Sequence, residues 1–124
     1  MPAAYHVIIA DDDASIRSLI ARVVARTYAT VTISSVSDGL DALAIYHQHG
    51  ADLVITNHEM PVLSGLSLIE RLRVLSATLP IIMVSAHQSV EPRARAVGVT
   101  HFLLKPFHIA LLVQILTGIL PPSP

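Results

Sequence analysis
Cysteine is absent from the 124-residue chain, which excludes disulfides, thiolate metal sites and thiol catalysis and suits a reducing compartment. Tryptophan is absent too, and Phe and Tyr number only 2 and 3, so Leu, Ile, Val and Ala have to build the core. Neither sign of charge dominates. With 8 Lys+Arg against 9 Asp+Glu the formal net charge is −1, which gives nucleic-acid binding by phosphate neutralisation little support. The opening Met-Pro-Ala-Ala-Tyr-His lacks the basic start and long apolar run of a signal peptide, so a cytoplasmic location is expected. The most apolar helical stretch, His108 to Leu120, spans about 20 Å at ~1.5 Å per residue, short of a hydrocarbon core of ~30 Å. It is expected as a core or interface helix, with no membrane contact.

What is present points to one folded domain. Hydrophobic residues make up 52% and charged residues 14%, a balance that argues against disorder. A chain of this length buries roughly two-thirds of its unfolded surface, enough for a single core. Short apolar runs alternate with helical patterns five times. Tyr5 to Ala10, Val31 to Ile33, Leu53 to Thr56, Ile81 to Ser85 and Phe102 to Leu104 read as strands. After the first, Ile16, Leu19, Ile20, Val23 and Val24 recur at helical spacing; Leu40, Leu43, Ala44 and His47 mark a second helix ending near Gly50. Leu68, Ile69, Leu72 and Leu75 mark a third, Val90, Ala94 and Val97 a weaker fourth closed by Gly98, and Ile109, Leu112, Val113 and Leu116 a fifth. Five βα units predict a parallel sheet with helices on both faces, over residues 1–120. Residues 121–124, rich in proline, are expected to start a linker or an artificial chain end.

In open α/β sheets ligands bind outside the carboxyl ends of the strands, so the polar residues ending each strand matter most. The first strand runs into Asp11-Asp12-Asp13, the third into Asn57-His58-Glu59, the fourth ends at Ser85 and the fifth at Lys105-Pro106. Each has an ordinary structural role open to it. Asp13 suits a helix N-cap, Ser85 a strand-end hydroxyl and Lys105 an exposed cation. Together, on separate strand ends, they describe a site. Two carboxylates ~4 Å apart repel by about 4 kcal/mol at an effective dielectric of 20, which a hard divalent cation such as Mg2+ relieves through oxygen ligands. An ammonium and a hydroxyl nearby could hold two oxygens of a phosphoryl group. The acceptor atom would belong on the third strand.

These residues resemble the response-regulator receiver family of two-component signalling, over nearly the whole chain. Val7-Ile8-Ile9-Ala10-Asp11-Asp12-Asp13 is similar to its acidic first-strand signature, and Asp52-Leu53-Val54-Ile55-Thr56-Asn57-His58-Glu59-Met60-Pro61 to its phosphorylation strand and loop. Ile81-Ile82-Met83-Val84-Ser85-Ala86 resembles its fourth strand, and Phe102-Leu103-Leu104-Lys105-Pro106-Phe107 its Lys-Pro-Phe closure. The resemblance implies an α/β, flavodoxin-like, doubly wound five-stranded sheet of order 2-1-3-4-5 with five helices. It implies Mg2+ held by Asp11, Asp12 and the Glu59 backbone carbonyl, and Ser85 with Phe102 as a switch pair. Lys105 would meet acidic groups and phosphate, beside a cis bond to Pro106. Partners would be a histidine kinase, a phosphotransfer protein or an effector domain, with a homodimer through helix four, strand five and helix five as a further expectation. The extra apolar residues Leu111, Ile115 and Ile119 on helix five support that face.

Two positions depart from the family pattern. Ser64 stands where the loop usually has Asp, a change that local turn hydrogen bonds tolerate. Asn57 stands where the family has its phosphoacceptor aspartate. A neutral amide cannot form the ordinary acyl phosphate, and it gives Mg2+ only a weak oxygen ligand. The expectation is a non-enzymatic receiver module acting through regulated protein–protein interaction, either an atypical receiver independent of phosphorylation or an engineered Asp-to-Asn variant locked unphosphorylated. The alternative, a small flavodoxin-like cofactor-binding or enzymatic domain, lacks a Gly-x-Gly-x-x-Gly turn or a phosphate loop to support it. A metal protein built on the 7 histidines is disfavoured, since His47 and His49 do not share a helix face.

Overall fold
Each of the five apolar runs forms a strand, and each is followed by a helix, in the computed structural model, which describes residues 4–122. The order is β1 (Tyr5–Ala10), α1 (Ala14–Thr27), β2 (Val31–Val36), α2 (Gly39–His49), β3 (Leu53–Thr56), α3 (Gly65–Leu75) and β4 (Ile81–Ser85). A 3-10 turn (Gln88–Val90) then leads into α4 (Glu91–Val97), β5 (His101–Leu104) and α5 (Ile109–Ile119). All pairings are parallel, and the strand order is β2-β1-β3-β4-β5, the order the resemblance implies.

Alternation along the strands builds two core layers. Val7, Ile9, Leu53, Ile55, Ile82 and Val84 face α1 and α5, packing with Ile20, Val24, Leu112 and Leu116. Ile8, Ala10, Val54, Ile81 and Met83 face the other way, against Leu43, Leu68, Ile69, Leu72 and Ala94. Every residue of β3 and β4 is buried, as continuous apolar runs in a parallel sheet should be. The edges differ. In β2 and β5 only part of each strand is covered, so the expectation of strands buried on both faces holds for the centre of the sheet alone.

The second strand is longer than its apolar run. It continues to Val36 because Ser34 and Ser35 pair with Ile8 and Ile9, and the Ser34 hydroxyl meets His6 Nε2 at 2.8 Å. An edge strand tolerates such polar residues. Ser123 and the final Pro124 of the proline-rich tail lie outside the described residues, while the Pro121 carbonyl accepts a 2.8 Å bond from the Tyr5 hydroxyl. Among the described residues no helix is long and apolar enough to cross a membrane.

Capping fixes where the helices begin near the carboxyl edge of the sheet. Asp13 accepts from Ser15 N at 2.8 Å and Ile16 N at 3.3 Å, and Ser64 accepts from Ser67 N at 3.2 Å. Removing the first of these caps in Asp13→Ala is expected to cost about 1 kcal/mol. In urea unfolding the midpoint should fall with an unchanged slope, since the cap hardly alters the surface exposed.

Candidate functional site
The parallel register carries the ends of β1, β3, β4 and β5 to one edge, where a cleft of about 190 Å3 opens. It is lined by Asp11, Asp12, Asp13, Asn57, Glu59, Ser85, Ala86, His87 and Lys105. All the strand-end residues singled out in the sequence except His58 and Pro106 therefore meet in one place. His58 is half-buried, and burial, followed by the Arg93 charge, lowers its imidazole pKa below the usual value.

Asp11, 1% exposed, is the most enclosed charge of the cleft. One carboxylate oxygen accepts from the Asp13 backbone N–H at 2.9 Å, and the other accepts from Lys105 Nζ at 2.9 Å. Arg17 donates to the Asp11 backbone carbonyl at 2.7 Å, bracing the same turn from α1. Burial pushes the Asp11 carboxyl pKa up, opposed by the Asp13 N–H and by the hydrogen bond and charge of Lys105. The cation thus offsets only part of the desolvation.

Asn57 occupies the centre. Its backbone N–H donates to the Ala10 carbonyl at 2.8 Å, which locks the end of β3 to the end of β1. Its amide nitrogen donates to the Glu59 carbonyl at 2.7 Å and, more weakly, to Asp12 Oδ1 at 3.4 Å. Its amide oxygen accepts from Lys105 Nζ at 3.3 Å. The opposite orientation would set NH2 against an ammonium and oxygen against two acceptors, so these three contacts define which way the amide faces.

Ser85 is buried, and its hydroxyl accepts from the His87 backbone N–H at 3.1 Å, shaping the turn after β4. Phe102 is half-buried and packs against the layer containing Ile8, Met83 and Ala94. The Lys105–Pro106 bond is cis, and Lys105 N donates to the Ser85 carbonyl at 2.7 Å, joining β5 to β4 at the rim.

Three contributors lie outside the motif reading. His87 reaches across the mouth to Glu59, Nε2 to Oε1 at 3.0 Å, though both side chains are more than half exposed and the pair is worth little in stability. Arg17 is a second, and only its helical position four residues past Asp13 hinted at it. Gly65 is the third. A Cβ there would fall 2.1 Å from the Asn57 carbonyl oxygen, so glycine alone lets α3 begin against the centre of the cleft. In the same loop Val62 sits at φ 71 beneath a 2.8 Å bond from Leu63 N to the Pro61 carbonyl, a tight turn in the strained hand for a β-branched residue.

Asp11, Asp12 and the Glu59 carbonyl present oxygens of the kind a hard divalent cation takes. Among the described residues no group of three or more His, Cys, Asp or Glu side chains is placed to hold a metal, so the set depends on that backbone carbonyl. The amide of Asn57 presents nitrogen rather than oxygen to it.

Comparison with known proteins fits this geometry. The response regulator receiver domain family matches residues 7–117. The C4-dicarboxylate transport transcriptional regulatory protein DctD of Rhizobium meliloti is 33% identical over 116 residues, 92% of this chain and 25% of that protein. Transcriptional regulatory protein PrrA of Mycobacterium tuberculosis is 29% identical over 109 residues, 86% of this chain and 46% of that protein. The chain thus spans between a quarter and just under half of these curated relatives. Among solved structures, chemotaxis response regulator CheY4 of Vibrio cholerae superposes with a TM-score of 0.84 at 30% identity, covering 95% of this chain and 100% of that one. From β1 through most of α5, this chain belongs to the response regulator receiver domain family.

Proposed function
We propose that this receiver domain signals by protein–protein interaction without phosphorylation of its cleft, and that it catalyses no reaction of its own. Receiver domains are signalling modules that work with histidine kinases and effector domains. The observation that carries the narrower reading is the central amide: Asn57 satisfies its amide group on Asp12, Glu59 and Lys105 and offers no carboxylate to attack phosphorus. Residues 1–120 form the module in this reading, and the cytoplasm is its place.

The roles follow the chemistry of the cleft. Asp11, Asp12 and the Glu59 carbonyl are the oxygens that would hold Mg2+, which supplies charge neutralisation in receiver domains; Asn57 weakens that site. Ser85 and Lys105 would take phosphoryl oxygens, with Phe102 as the aromatic member of the switch. The contact face is α4, β5 and α5, where Leu104 is 41% and Leu111 43% exposed. Ile115 and Ile119 are partly buried against the α1 layer, whereas Ile109, part of the core stripe in the sequence pattern, is 50% exposed, so the large exposed apolar residues of α5 are Ile109 and Leu111.

Incubating the protein with Mg2+ and acetyl phosphate, or with a phosphohistidine donor, should leave its intact mass unchanged, and beryllofluoride should bind poorly. Stoichiometric phosphorylation mapped to Asn57, or to an aspartate formed there by deamidation, overturns the reading. Light scattering that returns only monomer at high concentration removes the homodimer.

A further inference from the structure
We propose that the NH2 group of Asn57 is the cleft's built-in substitute for a divalent cation, engaging the oxygens a cation would use so that the receiver keeps its fold without metal. This rests on the reading above and adds to it how the site is regulated. Metal concentration would be no input to this domain.

Both carboxylate oxygens of Asp11 are engaged, one by the Asp13 N–H and one by Lys105 Nζ, each at 2.9 Å. The Glu59 carbonyl accepts 2.7 Å from Asn57 Nδ2, and Asp12 Oδ1 lies 3.4 Å from the same nitrogen. A cation seated between Asp12 and the Glu59 carbonyl would need those oxygens to converge on it. They converge on the amide nitrogen instead. Its two N–H groups carry partial positive charge and point at both acceptors, the electrostatic service a metal would perform at lower strength.

Rotating the amide to free these oxygens does not open the site at no cost. The turned NH2 would face the Lys105 ammonium, which now donates to Asn57 Oδ1 at 3.3 Å. Lys105 is itself held by Asp11, with only 17% of its side chain exposed, so it has little room to withdraw. Lys105 therefore acts as a positioning residue: it fixes the oxygen end of the amide and commits the nitrogen end to Asp12 and Glu59. Asn57 in this setting blocks the metal rather than ligating it weakly.

The two roles predict opposite results for one substitution. If the amide is a weak ligand, Asn57→Ala removes a donor and lowers metal affinity. If the amide is the obstruction, Asn57→Ala raises affinity while offering fewer ligands. The probe is Mn2+ added to 15N-labelled protein, where paramagnetic broadening of backbone amides reports occupancy near Asp12 and Glu59, with competition by Mg2+ to establish the site. The wild-type protein should show no selective, saturable broadening around these residues. Asn57→Ala should bind at least about tenfold more tightly, a difference of roughly 1.4 kcal/mol. In EDTA the variant should also melt below wild type and recover with Mg2+, since Asp12 and the Glu59 carbonyl lose their donor.

Saturable Mn2+ binding to the wild-type cleft as tight as, or tighter than, binding to Asn57→Ala overturns the proposal. So does a wild-type melting temperature that rises with Mg2+ as much as the variant's. If Asn57→Ala does not fold, Asn57→Ser, which keeps a small side chain at the same place, is compared in the same way. None of these readouts uses a phosphodonor, so the metal result and the phosphorylation result can fail independently.

Discussion

Asn57→Asp, supplied with Mg2+ and acetyl phosphate, takes up one phosphoryl group per chain, while the wild-type protein takes none. The substitution exchanges one amide for one carboxylate of the same shape, at the end of β3 that the ends of β1, β4 and β5 surround. The new carboxylate is a nucleophile: one of its oxygens bonds phosphorus, and acetate leaves with the electron pair of the broken P–O bond. Lys105 Nζ, already 3.3 Å from the Asn57 amide oxygen, stands ready for one phosphoryl oxygen. The Ser85 hydroxyl accepts from the His87 N–H at 3.1 Å and donates only at 3.5 Å to the His87 carbonyl, so its hydrogen can turn to another phosphoryl oxygen while the turn after β4 stays held.

The same exchange makes metal obligatory. An aspartate at position 57 would turn an acceptor toward the Glu59 carbonyl and Asp12, where the amide nitrogen now donates at 2.7 and 3.4 Å. Carboxylates at about 4 Å repel by roughly 4 kcal/mol at an effective dielectric of 20, so the cleft then needs a cation between them. Intact-mass measurement should give the phosphoryl increment only with Mg2+ present and lose it when EDTA is added beforehand. A phosphorylated wild type, or an Asn57→Asp chain that remains unmodified with metal and donor in excess, counts against the reading of this cleft as a receiver lacking only its acceptor.

The sequence carried the site further than it carried the details of the sheet. Asp11, Asp12, Asn57, Ser85 and Lys105 were visible because each directly ends a short apolar run, and a parallel sheet collects the carboxyl ends of its strands on one edge. The extent of β2 was hidden because Ser34 and Ser35 are polar and owe their strand conformation to pairing with Ile8 and Ile9. Ile115 and Ile119 looked like free apolar surface, since only tertiary packing against the α1 layer shows how wide the buried stripe of α5 is. The direction of the Asn57 amide was hidden for another reason. It is set by Lys105, a residue 48 positions away, and no local pattern encodes such a choice. His87 was missed because the turn after β4, held by Ser85, brings it over the mouth, and a histidine in a polar loop gives no periodic signal.

Lys105→Met should be among the most destabilising single changes in the cleft, at about 3 kcal/mol near neutral pH, because breaking a buried ion pair strands the remaining charge. Asp11 is that charge, with its side chain 2% exposed, and the cation that faces it is itself only 17% exposed. Methionine keeps most of the apolar stem, so the loss reports charge rather than packing. At roughly 4 °C per kcal/mol for a domain of this size, the melting temperature should fall by about 12 °C. The pH dependence identifies the cause. Burial already raises the folded-state pKa of Asp11 above 3.8, so ionising it opposes folding, and that penalty is relieved as pH falls through the folded pKa toward the unfolded one. Without Lys105 the folded pKa rises further. The deficit of Lys105→Met relative to wild type should therefore shrink steadily on acidification from neutral toward pH 4, in paired urea titrations across that range. Asp11→Asn added to Lys105→Met should recover most of the lost stability at neutral pH, since the double variant holds no unpaired buried charge. A deficit that stays constant with pH, or a double variant no more stable than Lys105→Met alone, would mean that Lys105 stabilises the rim through its packing and its backbone bond to Ser85, and the electrostatic account of the cleft would fall with it.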